Sequence, residues 1–180
     1  MGLTIVTMLV RPDAKSWVLQ QLMRTGIFTA KMENKAPDVS TETAIDFNFE
    51  NEQGSVQNTS SLRGKVVFIN FWASWCPPCR QESPNLVKAY NKFKDKNFTI
   101  LGVSLDKTDG KANWLAAIKD EGRTWTQVSD LQFWNNKAAG LYDVTAIPAN
   151  FLVDPSGKII AKDLRGEALQ NKLEEVLGKL

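Results

Sequence analysis

The segment Trp75-Cys76-Pro77-Pro78-Cys79 contains both cysteines of a 180-residue chain that has no histidine. Two thiols without histidine cannot complete a Cys₄ or Cys₂His₂ zinc site within one chain. The two cysteines can bond to each other, or one of them can attack another molecule. An apolar run precedes the motif, and a stretch with helical character follows it. A Cys-x-x-Cys motif between a strand and a helix is typical of a redox-active dithiol.

The expected position of Cys76, at the start of a helix, favours its thiolate. Only the thiolate is nucleophilic, and a free cysteine with a pKa of about 8.5 is mostly protonated at neutral pH. The unpaired N–H groups and the positive end of the helix dipole stabilise an anion there, and Pro77 suits the first helical position. We expect Cys76, as the more exposed sulfur, to attack a substrate disulfide. Cys79, shielded one turn further inside the helix, then resolves the mixed disulfide.

A structural disulfide is the alternative interpretation of this pair. Closing so short a loop removes little entropy from the unfolded chain, so the stabilisation would be small. No metal is expected, and the sequence has no Gly-rich phosphate loop. We therefore expect no cofactor beyond the redox-active disulfide Cys76–Cys79.

Residues 64–84 (GKVVFINFWASWCPPCRQESP) resemble the active-site segment of the TlpA/ResA-type thioredoxin-like proteins. These bacterial thiol–disulfide oxidoreductases are extracytoplasmic, either periplasmic or anchored to the membrane. Residues 142–148 (YDVTAIP) resemble the segment that carries the cis-proline of thioredoxin folds, and residues 151–160 (FLVDPSGKII) resemble the hairpin after it. The resemblance covers about residues 37–180.

The resemblance implies an α/β protein of thioredoxin-like fold, with a central mixed sheet flanked by helices and an extra N-terminal β-hairpin. It implies that Cys76 and Cys79 are catalytic and that Ile147–Pro148 is a cis peptide facing the dithiol, where it offers backbone groups to an extended substrate. The substrate-binding residues that we assign are Trp75, Pro77, Ile147 and Pro148.

Glu82 is the third catalytic residue that the resemblance implies. Thioredoxin has a buried Asp six residues before its first active-site cysteine, whereas Asn70 stands there in this chain and cannot ionise. TlpA/ResA-type proteins instead have a Glu three residues after the second cysteine, and Glu82 matches it. We expect Glu82 to be partly buried, so that desolvation disfavours its charge, and to take the proton of Cys79. The alternative is a solvent-facing Glu paired with a Lys or Arg.

Two departures from the family pattern bear on the substrate. The residue after the cis-proline is Ala149, where the family often has Thr, and it belongs to the substrate-facing groove. The stretch Gly-Val-x-Gly-x-Pro-Glu-Thr, frequent in members specialised for cytochrome c maturation, has no match. The sequence therefore argues against that specialised role.

Composition limits the classes of partner. The net charge is +2, from 22 basic and 20 acidic residues, which gives no strong attraction to nucleic acid or to a membrane surface. We expect protein substrates with exposed disulfides, a membrane dithiol protein as electron donor, and no nucleic acid; the oligomeric state stays open. Of the six tryptophans, Trp114, Trp125 and Trp134 are expected in the core or as surface cover.

The pattern along the chain predicts two parts, an N-terminal segment 1–36 and a thioredoxin-like domain 37–180. Residues 3–10 are apolar but shorter than the roughly 20 residues of a membrane span. They are interpreted as the end of a signal anchor, or else as a buried strand or helix turn. Residues 16–25 have helical periodicity and form a helix that packs on the domain or docks on a partner or membrane. We expect an extracytoplasmic protein on a tether.

Apolar patterning predicts the elements of the domain. The predicted strands are 45–49 and 55–57 of the hairpin, 65–72, 98–105, 125–128, 150–154 and 158–162, and the predicted helices are 77–95, 111–120, 135–141 and 167–180.

Two other functions fit a thioredoxin-like fold. A peroxiredoxin typically has its cysteine in a Pro-x-x-x-Thr-x-x-Cys frame; Ser74 does not supply that Thr spacing, and Trp75-Cys76-Pro77 argues against it. A non-catalytic interaction module with a vestigial dithiol is the third interpretation, against which the intact motif argues. A thiol–disulfide oxidoreductase that reduces exposed protein disulfides is the leading prediction.

Overall fold

The computed structural model describes residues 42–50 and 54–178. The predictions for segment 1–36, the anchor remnant and the amphipathic helix, lie outside the described residues. So does the proposed boundary between residues 36 and 37, and so does most of the turn of the predicted hairpin.

Seven strands and four α-helices make up the described part of the chain. The strands are β1 (Asn48–Glu50), β2 (Val56–Asn58), β3 (Val66–Trp72), β4 (Phe98–Ser104), β5 (Gln127–Val128), β6 (Ala149–Val153) and β7 (Ile159–Lys162). The α-helices are α1 (Pro77–Phe93), α2 (Lys111–Asp120), α3 (Lys137–Leu141) and α4 (Gly166–Leu177), and short 3₁₀ helices cover Thr59–Leu62, Thr108–Gly110 and Phe133–Asn135.

Strands β1 and β2 pair antiparallel and form the predicted N-terminal hairpin. The other five strands form one mixed sheet in the order β5-β4-β3-β6-β7. Strand β3 runs parallel to β4 and antiparallel to β6, so it lies at the centre. This is the thioredoxin-like arrangement that the resemblance implies.

Strand β3 is buried along its whole length, as its unbroken apolar sequence predicts. Because side chains alternate across a strand, Val66 and Phe68 enter one core and Val67, Ile69 and Phe71 enter the other. The first core includes buried residues of α1 and α4. The second includes buried residues of α2 and α3. Strand β3 is thus held from both sides, and its carboxyl end leads directly into the dithiol.

Helix α1 begins where the sequence predicts and ends at Phe93, two residues before the predicted end. Its buried residues recur at helical spacing, which places one stripe of the helix against the core. These residues are Cys79, Ser83, Leu86, Ala89 and Phe93.

The predicted helix 135–141 is wrong in its first turn. A 3₁₀ helix covers Phe133–Asn135, and α3 then begins at Lys137. Asn136 separates the two, because its side-chain oxygen accepts a hydrogen bond from the N–H of Ala139 at 2.8 Å. An Asn in extended backbone is a preferred helix N-cap, so it starts α3 afresh.

A helix that crosses a bilayer needs about 20 predominantly apolar residues, and the longest helix in the described ranges is α1, with 17 residues. None of the described helices combines sufficient length with sufficient apolar character to cross a bilayer.

Candidate active site

Cys76 is the N-cap of helix α1, with extended backbone, and Pro77 follows as the first helical residue. The Sγ atom of Cys76 accepts a hydrogen bond from the N–H of Cys79 at 3.3 Å. The two sulfurs form a disulfide, with the Cα atoms 5.3 Å apart. The strand, loop, dithiol and helix therefore follow one another as predicted, and Cys76 faces the positive end of the helix dipole.

The expected difference in exposure between the two cysteines is not found. With the disulfide formed, Cys76 is 3% exposed and Cys79 is 2% exposed. Trp75 and Pro77 on either side of Cys76 are exposed. Access to the disulfide is therefore from the side of these two residues.

The peptide bond Ile147–Pro148 is cis, which confirms the prediction. The carbonyl oxygen of Ile147 lies 3.9 Å from Sγ of Cys76, so this loop lies against the dithiol. Arg165 donates a hydrogen bond from Nη2 to the carbonyl of Pro148 at 2.9 Å. The proposed contact of Ile147 and Pro148 with a substrate stays a prediction.

Asp106 fixes the loop that carries the dithiol, and its side chain is fully buried. Its carboxylate accepts hydrogen bonds from the N–H of Ser74 at 3.0 Å and from the hydroxyl of Ser74 at 2.5 Å. The hydroxyl of Ser104 donates a third at 2.6 Å. Sequence reasoning missed Asp106. The available signal was its position just after β4, since parallel strands β3 and β4 end at the same edge of the sheet.

Arg123 lies behind the dithiol with no solvent exposure of its side chain. Its guanidinium carbon is 3.7 Å from the ring centroid of Trp72, and its Nη2 donates to the carbonyl of Cys79 at 3.4 Å. Its Nε donates to Glu121 at 2.9 Å, and Arg80 donates to the other oxygen of Glu121 at 2.6 Å. The result is a chain of alternating charges from the surface to the back of the dithiol.

Burial is the main influence on these charges. Burial lowers the pKa of Arg123, and the adjacent Glu121 only partly opposes this. Burial raises the pKa of Glu121, but hydrogen bonds from Arg80 and Arg123 outweigh it, so the pKa of this carboxyl lies below its ordinary value. Sequence reasoning missed this network, because an Arg in a polar Gly-Arg-Thr loop is typical of a solvated turn.

Comparisons with known proteins agree with this geometry. A model of the AhpC/TSA family matches residues 35–162. The thiol-disulfide oxidoreductase ResA of Bacillus cereus (strain ZK / E33L) is 33% identical over 133 residues, which are 71% of this chain and 70% of the relative. ResA of Bacillus subtilis (strain 168) is 31% identical over 134 residues, 74% of this chain and 72% of the relative. The chain belongs to the AhpC/TSA family and to its ResA-type thiol-disulfide oxidoreductases.

Solved structures place the fold in the same group. The thioredoxin domain of a thiol-disulfide oxidoreductase from Bacteroides vulgatus has a TM-score of 0.70 and 36% identity, covering 77% of this chain and 97% of that structure. A thiol-disulfide oxidoreductase from Bacteroides fragilis NCTC 9343 has a TM-score of 0.69 and 37% identity, covering 74% and 98%. The ResA-type relatives and these structures are thiol–disulfide oxidoreductases, and the paired Cys76 and Cys79 are the dithiol that this activity requires.

Glu82 of this ResA-type protein is half-buried on α1, as predicted. Its Oε1 accepts a hydrogen bond from the N–H of Gly166 at 2.6 Å, and its Oε2 accepts one from the side-chain amide of Asn85 at 3.0 Å. Within the described ranges neither oxygen pairs with a Lys or Arg, so the surface ion-pair alternative is not what the structure shows. A carboxylate at the first residue of α4 also stabilises that helix end. The proton-transfer role stays a prediction.

Three aromatic rings lie together beside Cys76. The ring centroid of Trp75 is 5.3 Å from that of Phe133 and 6.4 Å from that of Trp134, and the two latter rings are 5.8 Å apart. Trp75 is 46% exposed and Trp134 is 41% exposed, whereas Trp114 and Trp125 are buried. We call Trp75, Phe133 and Trp134 the aromatic platform. The expectation of a core or surface-cover role thus describes Trp114 and Trp125, which are buried, and Trp134, which covers Trp75 and Phe133 at the surface.

Proposed function

We propose that the protein reduces exposed disulfides of protein substrates, with Cys76 as the attacking thiol and Cys79 as the resolving thiol. The observation that carries this proposal is the position of Cys76. It caps helix α1, receives the N–H of Cys79 and lies against the cis-proline loop. An anionic sulfur is stabilised there, and backbone groups of the loop are available to an extended substrate.

The reaction has two exchange steps. The Cys76 thiolate attacks one sulfur of the substrate disulfide, the S–S bond of the substrate breaks, and its other sulfur leaves as a thiolate that takes up a proton. Cys79 then loses its proton and attacks Sγ of Cys76. The mixed disulfide breaks, the substrate leaves as a dithiol, and the Cys76–Cys79 disulfide forms. Two electrons have passed from the enzyme to the substrate.

Regeneration requires two electrons from a further dithiol. We propose a membrane dithiol protein as the donor and an extracytoplasmic location for this domain, supported by the ResA-type relatives and by the apolar run at residues 3–10. Cell fractionation of the full-length native protein tests the location. Recovery of the active domain in the cytosol would contradict it.

Turnover of insulin with a chemical dithiol donor tests the activity. The wild-type protein is expected to reduce the insulin disulfides, and Cys76→Ser is expected to abolish this. Cys79→Ser is expected to accumulate mixed disulfides with insulin, visible on non-reducing gels, whereas Cys76→Ser is expected to accumulate none. Faster alkylation of Cys79 than of Cys76 at neutral pH would reverse the assignment of the two thiols.

The two other functions predict outcomes that differ from those of a disulfide reductase. Consumption of hydrogen peroxide at a rate that exceeds insulin reduction would indicate a peroxidase. No reduction of any disulfide by the wild-type protein would indicate a non-catalytic module. The redox potential of the Cys76–Cys79 couple, compared with that of insulin, determines the direction of exchange.

A further inference from the structure

The aromatic platform is partly exposed apolar surface that includes Trp75, the residue directly before Cys76. Trp75 precedes Cys76 in the chain, and its indole N–H donates to the carbonyl of Leu105 at 3.3 Å, which fixes the orientation of the ring. Phe133 and Trp134 pack against that ring from a distant part of the sequence. A contiguous exposed apolar patch on a soluble domain marks a site of interaction.

The backbone that carries Phe133 and Trp134 is strained. Leu131 has a φ of 56° and Phe133 a φ of 57°, in the left-handed region that bulky residues rarely enter. Such residues persist only where surrounding structure holds them, and they cluster at functional sites. Leu131 packs against the core, whereas Phe133 is only half-buried, so core packing does not account for the left-handed φ of Phe133.

Asp130 is the residue that holds this strained loop. Its carboxylate accepts hydrogen bonds from the N–H of Gln132 at 3.1 Å, the side-chain amide of Asn136 at 2.8 Å and the N–H of Lys137 at 3.0 Å. An isolated β-bridge also joins Lys107 to Gln132. The loop is therefore fixed before any partner arrives, which lowers the entropy lost on binding.

The charge beside the platform limits what it can bind. The ammonium of Lys107 lies 4.6 Å from the ring centroid of Phe133, so a cation already occupies one face of the Phe133 ring. A second cation would be repelled. An uncharged aromatic ring, which packs favourably at centroid distances of about 4.5–7 Å, meets no such repulsion.

We propose that the aromatic platform is a specificity site that takes an uncharged aromatic side chain next to the substrate's disulfide cysteine. This deepens the proposed function and rests on it. The substrate segment bound at Cys76 passes Trp75 and so reaches Phe133 and Trp134. The platform thus selects protein disulfides flanked by Trp, Tyr or Phe.

Three synthetic peptides with one intramolecular disulfide test the proposal. They differ only in the residue beside the attacked cysteine, which is Trp, Ser or Arg. Wild type is expected to show a kcat/KM about tenfold higher for the Trp peptide than for the Ser peptide, mostly through KM, as one aromatic contact allows. The Arg peptide is expected to be no better than the Ser peptide. An Arg peptide that is preferred over the Trp peptide would overturn the proposal.

Variants separate the platform from the dithiol. Trp134→Ser is expected to remove most of the preference for the Trp peptide, measured within this variant as the ratio of kcat/KM for the Trp peptide to kcat/KM for the Ser peptide. Leu115→Ala, which removes a similarly exposed apolar residue of α2, is the matched control and is expected to keep the preference. Lys107→Met is expected to raise kcat/KM for the Arg peptide alone. If wild type and Trp134→Ser prefer the Trp peptide over the Ser peptide to the same extent, the proposed specificity role of the platform is rejected.

Two further outcomes would assign the platform another role. Phe133→Gly relieves the positive φ, so we expect an unchanged or higher melting temperature together with loss of the preference. A melting temperature lower by several degrees with the preference intact would make Phe133 a packing residue. If the wild-type protein is a homodimer and Trp134→Ser is a monomer, the platform is a subunit interface. If wild type reduces none of the disulfides, the proposed function itself has failed.

Discussion

The guanidinium of Arg123 donates a hydrogen bond to the backbone carbonyl of Cys79, with 3.4 Å between Nη2 and the oxygen. A fully buried cation thus lies behind the resolving cysteine. Arg80, Glu121 and Arg123 carry two positive charges and one negative charge, so the network retains one net positive charge. In a low-dielectric interior that charge favours a thiolate nearby.

Replacing Arg123 with Met is expected to lower the free energy of unfolding of the oxidised protein by about 3 kcal/mol. That is the lower end of the range for breaking a buried pair, because Glu121 keeps Arg80. In the reduced protein, the pH midpoint for alkylation of Cys79 is expected to move upward. Urea unfolding and pH-dependent alkylation measure the two effects.

Arg80→Met is the matched control for that variant, because Arg80 bonds the same carboxylate from the exposed side. An exposed ion pair contributes little to stability, so only a small loss is expected. Equal losses in Arg80→Met and Arg123→Met would show that burial and the contact with Cys79 contribute nothing.

The sequence predicted the elements whose pattern is local. Strand β3 is an unbroken apolar run, Cys76 and Pro77 have the chemistry of a helix start, and Pro148 belongs to a recognisable segment. The β-hairpin and the central mixed sheet also followed from the pattern and the resemblance.

Residues brought to the site by tertiary structure could not be predicted in this way. Arg123 and Asp106 lie in loops whose sequences are typical of solvated turns, and their burial depends on Trp72 and Ser74, which are distant in sequence. The loop at Phe133 has a left-handed backbone without Gly or Asn at that position, so nothing local signals it. Long-range packing decides the burial of Arg123 and Asp106, and the hydrogen bonds of Asp130 hold the loop at Phe133.

Acid is expected to destabilise the protein partly through Glu121. Because the pKa of this carboxyl is lowered in the folded state, the unfolded chain binds its proton more readily. The contribution is complete above the unfolded pKa of about 4.3 and is lost as pH falls through the folded pKa. Glu121→Gln is expected to be less stable than wild type at neutral pH and to lose less stability below about pH 4.3. Urea unfolding at several pH values measures this.

Glu174→Gln is the control for the acid experiment. Hydrogen bonding to Lys92 lowers the pKa of Glu174 as well, but both side chains of this pair are exposed. Salt screens exposed ion pairs. The effect of Glu174→Gln on the pH dependence of stability is therefore expected to vanish at about 1 M salt, while the effect of Glu121→Gln persists. If salt removes both effects equally, Glu121 behaves as a surface group.

Asp106 is expected to support activity by holding the loop before Cys76. In Asp106→Ala the two donors of Ser74 and the hydroxyl of Ser104 lose their acceptor, which is expected to lower the free energy of unfolding by about 2–3 kcal/mol. The loosened loop misplaces the dithiol, so insulin reduction is expected to fall by about tenfold or more. Ser104→Ala removes one donor to this carboxylate and the acceptor of the Asp106 N–H, but it keeps both hydrogen bonds from Ser74, so we expect it to retain most activity. Full activity of Asp106→Ala would contradict this role.

Glu82 is expected to handle the proton of Cys79 during resolution of the mixed disulfide. Where thioredoxin has a buried Asp, this chain has the buried Asn70, which cannot ionise. Glu82 lies three residues after Cys79 on α1. Glu82→Gln keeps an oxygen for the N–H of Gly166, so stability is expected to change little. Resolution is expected to slow at neutral pH and to change its pH dependence. Rapid mixing with Trp75 fluorescence, from about pH 5 to 9, measures the rate.

The structure also gives Glu82 a purely structural task, because its Oε1 accepts the N–H of Gly166 at the start of α4. If that is its whole role, Glu82→Ala is expected to lose about 1 kcal/mol of stability, as the loss of a helix cap does. Glu82→Gln is then expected to resolve mixed disulfides at the wild-type rate at every pH. Glu167→Gln removes a different carboxylate from the first turn of α4 and controls for charge at that helix end. Slow resolution in Glu82→Gln but not in Glu167→Gln would therefore assign the effect to proton transfer at Cys79 rather than to the stability of α4.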